Sequence, residues 1–139
     1  AIPDIKLNIV GDNSAPSLAT INKENINFTG RLDSVEEMYN ASRVFIAPTR
    51  FAAGIPHKIH EAAAKGLPSV TTALLAQQLG WKDTKELLVA DTPEAYAAQC
   101  IKLYQDEKLW LDVRDAGLTA IAKDCSQETF RKNLAGLFS

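Results

Sequence analysis

Apolar and polar positions alternate along Ile5-Lys6-Leu7-Asn8-Ile9-Val10 and then give way to Gly11-Asp12-Asn13-Ser14, a half-buried strand running into a turn. Ala1 to Asp4 read as the tail of a preceding segment. A short helical stretch is expected over Pro16 to Ile21, and Ile26-Asn27-Phe28-Thr29 reads as a second strand stopped by Gly30. Ser34-Val35-Glu36-Glu37 has the S-x-x-E form of a capping box, which predicts a helix to Ala41 with Met38 and Tyr39 facing inward. Val44-Phe45-Ile46-Ala47 is apolar throughout and ends at Pro48, as a strand covered on both faces of a parallel sheet should.

The same alternation of elements continues. His57 to Lys65 is rich in helix formers and stops at Gly66, a residue suited to a left-handed cap. Pro68-Ser69-Val70-Thr71 predicts a strand, Leu74 to Leu79 a helix, and Leu87-Leu88-Val89-Ala90 another strand. Thr92-Pro93-Glu94 places a cap before a first-turn proline and opens a long helical region. Tyr96, Cys100, Leu103 and Tyr104 fall at helical spacing, as do Leu109, Val113, Ala116 and Ala120, and then Phe130, Leu134, Leu137 and Phe138 after a cap at Ser126. Strand and helix in strict alternation imply right-handed crossovers, so the predicted fold is α/β, a doubly wound parallel sheet with a helical C-terminal region.

Composition narrows the picture. A chain of 139 residues with ordinary apolar content is expected to form one compact domain. Its formal charge of −2 arises from interleaved acids and bases with no basic block, so nucleic acid is not an expected partner. No apolar run approaches the ~20 residues that span a bilayer, and no signal pattern opens the chain. Cys100 and Cys125 match no metal spacing and read as buried thiols in a reducing cytosol, which makes the expected location cytoplasmic.

In an open parallel sheet, ligands bind beyond the carboxyl ends of the strands, so the loops after Val10, Thr29, Ala47 and Thr71 are the candidates. The third is the most unusual. Pro48 to Pro56 joins a buried strand to a helix whose first turn carries His57 and Lys58. Unpaired amides, the positive end of the helix and a lysine together suit a diphosphate, and Gly54 would let backbone approach it closely. Glu61, one turn on, could accept two hydrogen bonds from vicinal ribose hydroxyls. On spacing alone Lys58 and Glu61 could equally be a solvated i, i+3 pair. His57 and His60 stand in the order H-x-x-H-E, not H-E-x-x-H, and no third histidine exists, so no metal is expected. Dinucleotide, P-loop and serine-hydrolase signatures are all missing. Trp81 and Trp110 read as packing or rim residues.

The series L-N-I-V-G at Leu7 to Gly11, I-N-F-T-G at Ile26 to Gly30, E-E-M-Y-N-A-S-R-V-F-I-A-P at Glu36 to Pro48, G-I-P-H-K-I-H-E-A-A-A-K-G-L-P at Gly54 to Pro68 and E-L-L-V-A-D at Glu86 to Asp91 resembles a known family. It is similar to the Rossmann-like C-terminal, donor-binding lobe of GT-B glycosyltransferases of the group 1 type. The resemblance implies a hexosyltransferase-type reaction, moving a sugar from a nucleotide-diphosphate donor to an acceptor hydroxyl, with no cofactor or metal. It implies that the donor loop comprises Arg50, Gly54, Ile55, Pro56, His57 and Lys58, with Gly54 and Lys58 at the diphosphate and Glu61 at the ribose. Arg31 and Leu32 then lie against the base. The family's first glutamate, eight positions before Glu61, is replaced by Ala53, with Arg50 or His57 as partial substitutes. The resemblance also implies that 1–139 is one lobe of a larger protein whose acceptor lobe lies upstream, at the cytoplasmic face of a membrane or free of it, and that the lobe alone does not catalyse. Two other readings stand beside it: a nucleotide-sugar-binding or scaffold lobe that has lost turnover, and, fitting the K-x-x-E-A-x-A-x-G string less well, a sugar-nucleotide epimerase.

Overall fold

The computed structural model describes residues 2–12, 14–21 and 24–138, so Ala1 of the expected tail and Asn13 of the expected first turn lie outside the described residues. Two compact units make up the chain, Ala1–Ala41 and Ser42–Ser139.

In the first unit, β1 (Leu7–Val10) pairs in parallel with β2 (Ile26–Gly30), Leu7 standing opposite Ile26 and Val10 opposite Gly30. The segment between them contains a 3₁₀ helix over Pro16–Thr20, tighter than an α-helix and suited to so short a piece. The Gly11 amide donates to the Gly30 carbonyl at 2.9 Å, which ties the two carboxyl ends together. Ser14 donates to Asp12 Oδ1 from its amide at 3.0 Å, and its hydroxyl first and its amide second hold that carboxyl below its ordinary range. α1 spans Glu36–Ala41, with Met38 and Tyr39 half-buried. Its cap differs in register from the S-x-x-E expectation. Ser34 Oγ accepts from the Glu36 amide at 3.3 Å, one position short of Glu37.

The second unit is built on three parallel strands in the order β3 (Phe45–Ala47), β4 (Ser69–Thr71), β5 (Leu88–Val89). Each strand is shorter than the run predicted for it. Every residue of β4, the central strand, is buried. Alternate residues feed two separate apolar clusters. Ala47 and Leu87 join Ile59 and Ala63 of α2 (His57–Ala64), Leu75 and Ala76 of α3 (Ala73–Leu79), and Trp81. Val70 and Leu88 join Leu103 of α4 (Pro93–Gln105) and Val113 of α5 (Glu107–Asp124). Both faces of this sheet are therefore covered by helices, as the doubly wound pattern requires.

Each helix ends where its local chemistry directs. Gly66 at φ +71° closes α2 in a Schellman arrangement, with the Gly66 amide on Ala63 O and the Leu67 amide on Ala62 O, both at 2.9 Å. Thr92 Oγ1 caps α4 by accepting from Ala95 N at 3.2 Å. The helical region then breaks at Asp106, whose carboxylate accepts from Leu109 N at 3.0 Å and starts α5. Ser126 caps α6 (Gln127–Leu137) as expected, accepting from Thr129 N at 3.0 Å. Phe130 and Leu134 of α6 are exposed, as are Leu137 and Phe138.

One cysteine expectation is corrected. Cys100 is half-buried on α4, and burial pushes its thiol up to about 11. Cys125 is exposed, because it is the C-cap of α5: its amide is spent on Ile121 O and its side chain emerges where the helix ends. Trp81 and Trp110 do pack, with indole N–H groups donating to Asp124 Oδ2 at 2.9 Å and to the Arg43 carbonyl at 2.7 Å.

Tyr96 of α4 joins β3 to β4 through its hydroxyl, which accepts from the Ala47 amide at 2.9 Å and donates to the Val70 carbonyl. Burial raises the pKa of this phenol, so the proton it donates is retained. Tyr96→Phe leaves both backbone groups without that partner and should destabilise the fold by about 1–3 kcal/mol, read as a lower urea midpoint at unchanged m-value.

Candidate functional site

β3 ends at Ala47, which is 1 % exposed and pinned by Tyr96, and Pro48 forces the chain out of the sheet. The segment that follows, residues 48–56, is held at two carbonyls. Thr72 Oγ1 donates to Thr49 O at 2.8 Å, and Gln78 Nε2 donates to Ala52 O at 3.1 Å. Between these anchors and α2 the loop projects, leaving Phe51 92 % and Ile55 58 % exposed. Gly54 adopts φ +82°, a conformation that side chains disfavour, and a Cβ built there meets nothing within 4 Å. The backbone is thus open to anything that approaches it.

Pro56 precedes α2 without giving it a side-chain cap. The Ile55 carbonyl accepts from His57 N and the Pro56 carbonyl from Ile59 N, both at 3.0 Å. No acceptor for the Lys58 amide is found among the described residues. A first-turn amide left this way, at the positive end of a helix, favours an anion.

Lys58 Nζ does not reach Glu61. It folds back to donate to Thr49 Oγ1 at 2.8 Å, a neutral partner that leaves its charge uncompensated. The Glu61 carboxylate is exposed and takes part in none of the ion pairs among the described residues. The solvated Lys58–Glu61 pair allowed by spacing is therefore not formed. Arg50 and His57 are exposed on the same loop and helix, and Arg50 has no carboxylate partner among the described residues. Of the residues singled out in the sequence, Arg50, Gly54, Ile55, Pro56, His57, Lys58 and Glu61 lie on this one loop-and-helix segment of the second unit. Arg31 and Leu32 lie in the first unit, exposed in the turn that follows β2.

Sequence reasoning did not find Thr49, Thr72 or Gln78. Thr72 directly follows a strand and Gln78 interrupts an apolar helix, the two signals available for them. Asp91, at the end of β5, accepts from Ala73 N at 3.0 Å and so fixes the start of α3, on which Gln78 rides. Elsewhere in the second unit a groove of about 430 Å³ runs between the end of α3 and α5, bordered by Trp81, Lys85, Glu86 and Asp124. Among the described residues no three of His, Cys, Asp and Glu gather as a metal site would require.

The family described as glycosyl transferases group 1 matches residues 1–106, three quarters of the sequence. The chain belongs to the group 1 glycosyltransferases. No curated protein matches it in sequence. Its fold is similar to that of TarM, with a TM-score of 0.82 at 15% identity over 96% of this chain and 28% of TarM. A structure of HepE from Anabaena in complex with UDP-glucose superposes with a TM-score of 0.77 at 13% identity, covering 98% of this chain and 41% of HepE. The C-terminal domain of LpcC, a group 1 family protein from Francisella tularensis, gives 0.64 at 17% identity over 75% of this chain and 55% of that one. The chain thus spans between about a quarter and a little over half of the structures it resembles, and it has the α/β architecture of a GT-B C-terminal lobe. No helix among the described residues is long and apolar enough to cross a membrane.

The inner side of the site helix carries a titrating group. His60 is half-buried with its ring 5.5 Å from that of Trp81, and its pKa is lowered from 6.5, first by burial, with His57 adding to the effect and Asp124 opposing it. A histidine whose folded pKa is depressed takes up fewer protons than the unfolded chain, so stability is lost as pH falls through 6.5 toward the folded value. His60→Gln should flatten this part of the stability profile, measured by urea denaturation at a series of pH values. A profile as steep as that of the unaltered chain contradicts the assignment.

Proposed function

We propose that this chain is the donor-binding lobe of a glycosyltransferase that moves a sugar from a nucleoside diphosphate to an acceptor hydroxyl. One observation carries the reading: among the described residues the Lys58 ammonium is held only by the neutral Thr49 hydroxyl and the Lys58 amide has no acceptor, at the start of a helix that follows the open Gly54 backbone. A diphosphate seated there gains charge-assisted hydrogen bonds and the favourable end of the helix. Glu61, free of ion pairs among the described residues and one turn further on, offers both carboxylate oxygens to the ribose hydroxyls. Ile55 and His57, both exposed, complete the wall, and Pro56 is buried beneath them.

During transfer, the bond between the anomeric carbon and the diphosphate oxygen breaks while negative charge grows on the departing diphosphate. Donors already fixed toward those oxygens stabilise the charge without reorganising. Lys58, held on Thr49, and its own amide fill that role. The acceptor hydroxyl forms the new bond and loses its proton, and the groups that orient it belong to an acceptor lobe elsewhere in a longer protein. Orientation supplies much of such a rate, so the 139-residue chain is expected to bind nucleotide and not to transfer sugar.

A second reading is favoured by Ala53, which stands exposed where the family pattern has a donor-sugar glutamate. A lobe without that carboxylate could hold a nucleotide sugar without turning it over. Restoring glutamate at position 53 in the intact protein separates the two, since a gain of transfer marks a degraded site.

Calorimetric titration with UDP, GDP and ADP tests the main proposal. At least one should bind; Lys58→Ala should weaken the diphosphate about tenfold while sparing the parent nucleoside, and Glu61→Ala should weaken both. Unchanged affinity in both variants places the site elsewhere.

A further inference from the structure

Two carbonyls of the loop that bears the candidate site are held by side chains from the start and second turn of α3. Thr72, 7 % exposed, is the N-cap residue of α3, yet its hydroxyl makes no cap bond to that helix and donates instead to Thr49 O at 2.8 Å. Asp91 supplies the missing cap by accepting from Ala73 N, which releases Thr72 for the loop.

Gln78, on the second turn of the same helix, directs its NH₂ to Ala52 O at 3.1 Å, while its buried Oε1 has no donor among the described residues. Turning the amide over would set oxygen against the Ala52 carbonyl oxygen, two acceptors face to face, so this orientation is fixed by the loop.

We propose that Thr72 and Gln78 are positioning residues that hold residues 49–56 in the shape that presents Gly54 and the Lys58 amide, and so set nucleotide affinity without touching the ligand. Three links connect them to the anion site. Thr49 is gripped through its carbonyl by Thr72 and through its hydroxyl by Lys58 Nζ, so one residue couples the clamp to the cation. Ala52 lies two residues before Gly54, so this anchor acts close to the glycine in the chain. Both anchors ride on α3, whose Leu75 and Ala76 are buried in the core, so the clamp is mounted on a rigid body. The inference rests on the donor-site reading, and its test separates the two.

In the ligand-free chain, Thr72→Val and Gln78→Leu should each raise hydrogen exchange at amides 49–55 while leaving the β4 amides protected. With whichever of UDP, GDP and ADP binds, each variant should weaken affinity about three- to tenfold at temperatures where it remains folded, and Thr72→Ser should restore it to within about twofold. Faster exchange with unchanged affinity, or unchanged exchange, overturns the inference even where Lys58→Ala weakens binding. If Lys58→Ala leaves binding intact, or no nucleotide binds at all, the donor-site reading fails, and the exchange result alone reports on the clamp. Should Thr72→Val fail to fold, Gln78→Leu carries both measurements.

Discussion

The site depends on one constraint: the carboxyl end of a short buried strand must deliver its chain to the amino end of a helix without filling the space between them. β3 can do so because its last residue is locked by the Tyr96 hydroxyl and because Pro48 cannot continue the ladder. α2 can receive the chain because Pro56 provides no side chain to cap it, which leaves the first turn available to a ligand. Burial secures both ends. Ile59 and Ala63 face the core on one side of α2, so Lys58 and Glu61 are turned outward by the helical period itself.

Charge placement follows from that geometry. In a solvated pair, Lys58 and Glu61 would neutralise each other and leave little attraction for a diphosphate. Instead Thr49 takes the ammonium and the carboxylate stays apart, so cation and anion remain separate about one helical turn from each other. The arrangement suits a ligand with a negatively charged end and a hydroxylated end, as a nucleoside diphosphate has. What it lacks is a carboxylate at position 53 for the sugar, and nothing in the second unit supplies one on the exposed loop.

Most of the architecture could be read from the sequence, because it is written in local signals. The apolar run at Val44 to Ala47, the Gly66 stop, the Thr92-Pro93 start and the Ser126 cap each act over three or four residues, and each appears in the structure where the pattern puts it. The strand-helix alternation likewise announced a sheet with both faces covered. Three features were not legible. The break at Asp106 was hidden because apolar spacing on both sides of it is helical and only the aspartate's cap interrupts. Cys125 was misread as buried because its position at a helix end, which exposes it, depends on where α5 stops. The grip of Thr72 and Gln78 on the loop joins residues more than twenty positions apart and has no sequence period to betray it. Lys58 and Glu61 were visible as residue types, but whether they pair with each other or stand apart is decided by Thr49, which spacing does not reveal.

The central claim is that an anion is held at the start of α2 by backbone as well as by side chain. The most direct measurement is a nitrogen-proton correlation spectrum of the labelled chain during addition of a nucleoside diphosphate, followed residue by residue. The account predicts the largest shifts at the Gly54, His57 and Lys58 amides, saturating together. Shifts confined to Trp81, Lys85 and Asp124 around the α3–α5 groove, with the Lys58 amide unmoved, would contradict it.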